Sequence, residues 1–502
     1  MKSLLSKTWQ KLFPVEEDYK IMVGIYLFFI LYALVTAYFI IKRDLFGLMF
    51  IFPLLFLCLF LISFNNPIFI LKCIIVYVFI QYTLKYSLHL PPRITLVDDI
   101  LFFLLIGVLI LKKQGVFKLK YYLTLPIILI IITGIISGVV NNSPFYVTLL
   151  GLRGYLQYAF LFFVIMNLNI KKKQLVKLSN FFIDVFLGLQ ISMMLYQIIT
   201  AIREGHLSPD TASGTFSHGG ANYLTYATTI PLFFIIGRII EEKQYDFKNR
   251  LRLFLLLFVF IFSQGRFAIV LSPFIFIFIY RDRILKKKIV RKWTFRFFLF
   301  FGLLFGLYLM FTDVREIKMY NLYQNFIRWE HDISMGANRY LWLGLVWKYV
   351  SKSWKTLLIG YGPGEFWSYI SYKLKRPLTM ETYNYWGQVE AGVDAGCATG
   401  LVPAIGEFGF LGLFLFLWLF YKNYRWGWNL FKNSPSLVVR AYSLPVIAGS
   451  IMMILGVYVH LIWESQNITF FYWFFTGLMY KIYIIEKEER RFKVLKTHFK
   501  DG

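Results

Sequence analysis

The segment "FLLLFVFIFSQGRFAIVLSPFIFIF" (254–278) is nearly all hydrocarbon, yet Ser263-Gln264-Gly265-Arg266 stands in its middle. Polar side chains kept inside such segments face a protein interior or a water-filled site rather than lipid. Arg153, near the start of another apolar segment, and Arg339, opening "RYLWLGLVWKYV", complete a set of three arginines expected on one side of a membrane. A guanidinium is a planar fork that donates bidentately and keeps its charge, which suits a diphosphate. The alternative for each is a snorkelling side chain with its head among lipid headgroups.

Carboxylates and a histidine accompany them. Glu390 and Asp394 precede the apolar segment that begins near residue 399, and Glu407 lies within its first half. An intramembrane carboxylate is a functional candidate; a salt bridge to one of the arginines is the competing reading for Glu407. His218, in "SGTFSHGGAN", comes just before an apolar segment whose helix N-terminus would favour an anion or polar substrate, although a loop histidine can also be structural or solvated. "GYGPGEF" (Gly360–Phe366) either lets main-chain N–H groups approach an anion or simply ends a helix. It lacks the Lys-Ser/Thr ending of a nucleotide loop. No HExxH, Walker, GxSxG or paired acidic metal motif is present, so the residues call for no metal and no cofactor. Cys58, Cys73 and Cys397 give neither a disulfide framework nor a CxxC spacing.

The elements that must position these residues are membrane helices. The chain has 502 residues and is 58% hydrophobic, with a mean hydropathy of +0.60, beyond the range of soluble domains. Apolar runs of roughly 17 residues or more, each able to cross a bilayer, recur from end to end. The pattern predicts an all-α polytopic integral membrane protein in one continuous domain, with about fourteen transmembrane helices. They fall at 21–41, 45–64, 68–88, 95–111, 121–140, 149–170, 180–202, 222–240, 252–264, 266–280, 295–312, 399–421, 441–461 and 468–485. No small-residue cleavage site follows the first run, so no cleavable signal peptide is expected.

The net charge of +27 does not indicate nucleic acid, because the basic residues fall in clusters between apolar runs. Lys112–Lys120, Lys171–Lys177, Arg281–Arg296, Lys422–Arg440 and the tail from Lys481 follow the positive-inside rule. Anionic lipid headgroups are their expected partner. With Lys248–Arg252 before it and Arg281–Lys288 after it, the segment at 252–280 must turn back, making Arg266 the tip of a tight helical hairpin. Two outward loops stand out: 203–221 and the large loop 313–398, between spans 11 and 12. The large loop is nearly balanced, with ten Lys/Arg against eight Asp/Glu, unlike the inner clusters. Within it Leu341, Trp342, Leu345, Val346 and Tyr349 space an amphipathic helix lying on the outer interface.

Taken in order, "GTFSHGGAN" before a span, "SQGR" between two helices, "NRYLWLGLVWKYV" with "LLIGYGPGEF" in the large loop, and "AIGEFGFLGLFLFL" entering the next span resemble the bacterial O-antigen polymerase and O-antigen ligase superfamily. The resemblance covers about residues 213–420. It implies a GT-C-like membrane fold in the cytoplasmic (inner) membrane, with an active site facing the periplasm. The implied reaction is glycosyl transfer from a polyprenyl-diphosphate-linked oligosaccharide donor to a glycan acceptor, without metal. Arg266 and Arg339 match the arginines that grip the donor diphosphate, and Arg153 is the third candidate. Ligases of this superfamily carry a His-Asn pair nine residues before the glutamate matched by Glu407; here Ala398 and Thr399 stand there. That departure favours a polymerase over a ligase and leaves the general base to Asp394 or His218, neither of which matches a family motif. Flippase and chain-length regulator proteins are implied partners. The reading from another class is a flippase for lipid-linked oligosaccharides, disfavoured by the single large loop and the lack of visible repeats.

Overall fold

The structure, a computed structural model, describes residues 66–86, 97–112, 121–204, 212–216, 220–263, 265–284, 295, 339–378 and 399–498. The expected spans 21–41, 45–64 and 295–312 lie outside the described residues, as do 313–338 and 379–398 of the large loop. The chain divides into two units, Met1–Leu71 and Lys72–Gly502. Of the first, only residues 66–71, which begin a helix, are described.

The described residues form helices α1 (Pro67–Tyr86), α2 (Val97–Lys112), α3 (Thr124–Val140), α4 (Phe145–Leu156), α5 (Ala159–Asn167), α6 (Lys172–Glu204), α7 (Ala221–Ile240), α8 (Phe247–Phe262) and α9 (Arg266–Ile284). There follow α10 (Arg339–Val350), α11 (Trp354–Ile359), α12 (Tyr369–Lys373), α13 (Leu401–Asn433), α14 (Leu437–Gly456) and α15 (Gln466–His498). No strand occurs among the described residues. Six segments are long and apolar enough to cross a membrane: Pro67–Leu84 of α1, α6, α7, α13, α14, and Gln466–Phe492 of α15. The pair α4–α5 makes a seventh if counted as one bent span. The chain is therefore an α-helical membrane protein with several crossings, and these helices coincide with expected spans.

Packing follows from the apolar faces. α7 is buried from Leu224 through Ile240 without interruption, as a helix apolar on every side must be, and it packs on α14, α8 and α15. Phe79 of α1, Phe182 and Phe186 of α6, and Phe470, Phe471 and Phe474 of α15 interlock, with Phe182 and Phe474 stacked at 4.4 Å. Polar ties join the same helices. Asn423 donates to Tyr472 at 2.6 Å and to Thr476 at 3.0 Å, and Ser179 meets Tyr442 at 2.6 Å. In lipid, such interhelical bonds and close packing replace the hydrophobic drive.

Two expectations change. The expected span 149–170 is broken: α4 and α5 meet at 66° across Gln157-Tyr158. Asp98 lies beside that break, and its Oδ2 accepts from Gln157 Nε2 at 2.7 Å and from the Tyr158 hydroxyl at 2.6 Å. The basic stretch after residue 421 is helix rather than loop. α13 runs on to Asn433 and stops only at Ser434-Pro435, because a proline disfavours helix at the residue before it. α14 then starts with the Ser436 hydroxyl accepting from Val439 N at 3.3 Å. α15 likewise carries its basic tail as helix to His498.

The chain turns back at Arg266, but not as two helices packed on each other: α8 and α9 each pack on α7. Gly265 N donates to Thr225 Oγ1, near the start of α7, at 2.8 Å. The outer ends of the pair both return to the far end of α7. Arg252 of α8 and Arg238 of α7 share Asn180 of α6, and Arg283 of α9 pairs with Glu241 at 2.6 Å. That far end also holds the Arg252–Asp184 and Lys172–Glu486 pairs, at 2.7 and 2.5 Å. The molecule thus has a basic end of paired charges and an opposite end where helices break.

Candidate functional site

The site is built around Glu407, which is fully buried in α13. Two residues later the helix fails: Gly409 has φ 65° and ψ −170°, a conformation essentially restricted to glycine. The break frees carbonyls that must find donors away from water. The "GYGPGEF" loop supplies them. Tyr361 N donates to Gly406 O at 2.8 Å, and Gly362 N to Glu407 O at 3.0 Å. The loop lies so close that a Cβ on Gly360 would meet the Glu407 carbonyl, and one on Gly409 would meet the main chain of Leu358 and Ile359. Gly360, at φ 72°, also ends α11. So this loop is a helix terminator and a plug for a second, broken helix.

Its far half is held as firmly. Glu365 accepts a bidentate pair of hydrogen bonds from Arg376, Nε to Oε2 at 2.7 Å and Nη2 to Oε1 at 2.8 Å, and accepts from the Ser143 hydroxyl at 2.5 Å. Phe366 N donates to Glu407 Oε1 at 3.2 Å. Trp367 follows with φ 57°, a left-handed value that is strained for a bulky side chain. Ser368 caps α12 by accepting from Ser371 N at 3.1 Å. The expected loop helix is α10; its Val346, Tyr349 and Val350 are buried, and Tyr349 packs on Phe366 at 5.6 Å. The side chains of Leu341, Trp342 and Leu345 lie outside the described residues.

A second carboxylate completes the cluster. Glu464 lies in the loop between α14 and α15, and it keeps part of its surface open. Its Oε1 accepts from the Tyr155 hydroxyl of α4 at 3.1 Å, and its Oε2 accepts from Tyr369 N at 2.8 Å. Burial of the carboxyl pushes Glu464 up to about 7, against these two hydrogen bonds, which pull it down. Glu407 and Glu464 lie within electrostatic reach of each other, and Tyr155 feels both. The Ser368 hydroxyl and the Gly364 amide also face the Glu407 carboxyl group. Neither carboxylate forms an ion pair among the described side chains.

The same loop ties the end of the bundle together. Gly400 N donates to Val457 O at 2.9 Å and to His460 O at 3.2 Å, and the Thr399 hydroxyl donates to Val457 O at 3.1 Å. The His460 ring lies 5.4 Å from Tyr226 and 5.9 Å from Tyr223, both near the start of α7. Tyr226 in turn lies 6.3 Å from Phe267, the residue after Arg266. Gln466 donates to Gln157 at 3.3 Å, reaching the α4–α5 bend.

Of the residues singled out from the sequence, Glu407 sits at the centre. Arg266 begins α9 beside Thr225 and Tyr226, and Arg339 begins α10; their side chains lie outside the described residues. Arg153 is engaged. Its Nε donates to Asp99 Oδ1 at 2.9 Å, and its Nη2 lies 2.5 Å from Oδ2. His218, Asp394, Glu390 and Ala398 lie outside the described residues. Glu464, His460, Glu365 and Arg376 were missed. A signal existed for the first two: "VHLIWESQ" sets ionisable residues four apart in a short loop between apolar runs.

No family model and no curated protein matches this chain.

Proposed function

We propose that this protein is a surface-polysaccharide polymerase, joining polyprenyl-diphosphate-linked repeat units on the outer side of the cytoplasmic membrane. The observation that carries the reading is the gathering of helix breaks and carboxylates at one end of the bundle. The start of α9 at Arg266, the start of α7, the Gly409 break and Glu464 are linked there through Tyr226, His460 and Tyr155. The paired basic residues at the other end fit the cytoplasmic side, which would turn the irregular end outward. In this reading the chain has about fourteen spans in a GT-C-like arrangement, and flippase and chain-length regulator proteins work beside it.

The chemistry follows from the donor. Arg266 and Arg339 hold the diphosphate, and Arg153 shapes the adjoining α4–α5 bend. As an acceptor hydroxyl attacks the anomeric carbon, the bond to the diphosphate oxygen breaks and its electron pair leaves on the diphosphate. Fixed guanidinium groups stabilise that growing charge. The donor is already activated, so no nucleotide is consumed.

The test is reconstitution of the purified protein with one lipid-linked repeat unit. A ladder of longer lipid-linked products, formed without lipid A core as acceptor, is the expected outcome. A single product on a non-repeat acceptor would make the protein a ligase. Movement of intact donor across the bilayer with no new glycosidic bond would make it a flippase and refute the reading.

A further inference from the structure

The transfer needs a group that takes the acceptor proton. We propose that Glu464 is that general base, an assignment that rests on the glycosyl-transfer reading above. Its surroundings are those of a positioned base rather than a structural carboxylate. Each oxygen is fixed by one donor, the Tyr155 hydroxyl or Tyr369 N, and an ionised carboxylate has lone pairs left for a further hydrogen bond. Glu464 is half-buried, whereas Glu407 beside it is enclosed.

Glu407 provides the second observation. It is fully buried beside Glu464 and Tyr155, with the Ser368 hydroxyl and the Gly364 and Phe366 amides turned to its carboxyl group. Two carboxylates in unlike environments are a recurring way to divide acid and base roles. The strained Trp367 backbone, lying between the Phe366 N–Glu407 and Tyr369 N–Glu464 bonds, marks the same place, as strain often does at working sites.

The step balances. The acceptor oxygen bonds to the anomeric carbon, the carbon–diphosphate bond breaks with its electrons on the diphosphate, and the hydroxyl proton moves to Glu464. A base works in its ionised form, so the rate should rise with pH through the value near 7 at which Glu464 titrates. Among the described residues, the titratable groups facing Glu464 include Glu407 from α13 and Tyr155 from α4. The segment that opens α12 donates the Tyr369 main-chain N–H, and His460 lies on the same loop as Glu464, one turn away in sequence.

The experiment measures initial rates of ladder formation by the full-length protein in liposomes, using the lipid-linked repeat unit, from about pH 5.5 to 8.5. Wild type should lose close to tenfold per pH unit below about 7. Glu464→Gln should lower kcat by about 10²–10⁴-fold, leave KM within a few-fold and abolish the acid limb in the residual activity. Glu464→Asp should keep a limb, and His460→Gln, Asp394→Asn and His218→Gln should each keep it as well. A flat wild-type profile overturns the assignment even if Glu464→Gln fails to accumulate in the membrane. So does a Glu464→Gln enzyme that retains near-normal kcat, or a limb lost in one of the other three variants. If wild type transfers no glycan at all, the function itself is refuted and this assignment falls with it.

Discussion

Replacing Gly409 by alanine should release the "GYGPGEF" loop from α13. Gly409 has φ 65° and ψ −170°, and holding a residue with a Cβ there costs about 1–3 kcal/mol. The new methyl would also run into the carbonyl of Leu358 and the nitrogen of Ile359. The break cannot relax into helix without losing the Tyr361 N–Gly406 O and Gly362 N–Glu407 O bonds, at about 1 kcal/mol each. Undocking loses those bonds in wild type too, so the strain of about 1–3 kcal/mol sets the difference, which at 1.4 kcal/mol per decade is a rise of about 5–150-fold in the undocked population. Limited proteolysis reads that population directly when opening is fast relative to cleavage. Cleavage within residues 354–378 should therefore speed up by about one to two orders of magnitude. Gly188→Ala is the control, because nothing lies within 4 Å of its added Cβ, and its cleavage rate should match wild type. A Gly409→Ala protein cleaved at the wild-type rate would refute the docking argument.

Arg266→Lys and Arg339→Lys should each abolish long-chain glycan while the protein still accumulates in the membrane, because lysine keeps the charge but loses the planar fork; normal polymer from both variants would eliminate the diphosphate clamp. Single cysteines at Gln264 and Ser334 should react with an impermeant thiol reagent applied to intact cells, and one at Lys287 should not. Labelling at 287 would reverse the sidedness on which the outward site depends.

The bundle was legible where the signal is local. The α8–α9 break could be placed because Ser-Gln-Gly interrupts hydrocarbon and because basic residues flank both outer ends, and the separated helices follow that reading. The basic clusters marked a side but not a secondary structure. Lys422–Asn433 looked like a loop, yet nothing before Pro435 prevents helix, and α13 runs through it. The α4–α5 bend was hidden because Asp98, which ties the Gln157 and Tyr158 side chains there, lies about sixty residues away in sequence. Glu407 could be found as a carboxylate in an apolar run, but its partners could not. The Phe366 amide comes from a loop forty-one positions earlier. Glu464 was missed although it shares a short loop between apolar runs with His460, and its partner could not be read at all, because only the fold brings it to Tyr155, 309 positions away.

The two ends of the bundle solve opposite problems. In hydrocarbon a broken helix is tolerated only where protein or an internal cavity receives its freed main-chain groups. At the basic end α6, α13 and α15 run on as continuous helix, and their charges meet in pairs such as Arg252–Asp184 and Lys172–Glu486. At the other end two interruptions have their own receivers, Thr225 for the Gly265 N–H and Tyr361 with Gly362 for the carbonyls freed at Gly409, and Asp98 ties together the Gln157 and Tyr158 side chains at the α4–α5 bend. Regular helix would need none of these receivers and would pack as well in lipid. Retaining three breaks therefore makes sense only if irregular backbone is useful at that end. The neighbouring carboxylates Glu407 and Glu464 mark that place. Substitutions that weaken the receivers should reduce activity before they unfold the bundle, because the basic end holds its helices together through different residues.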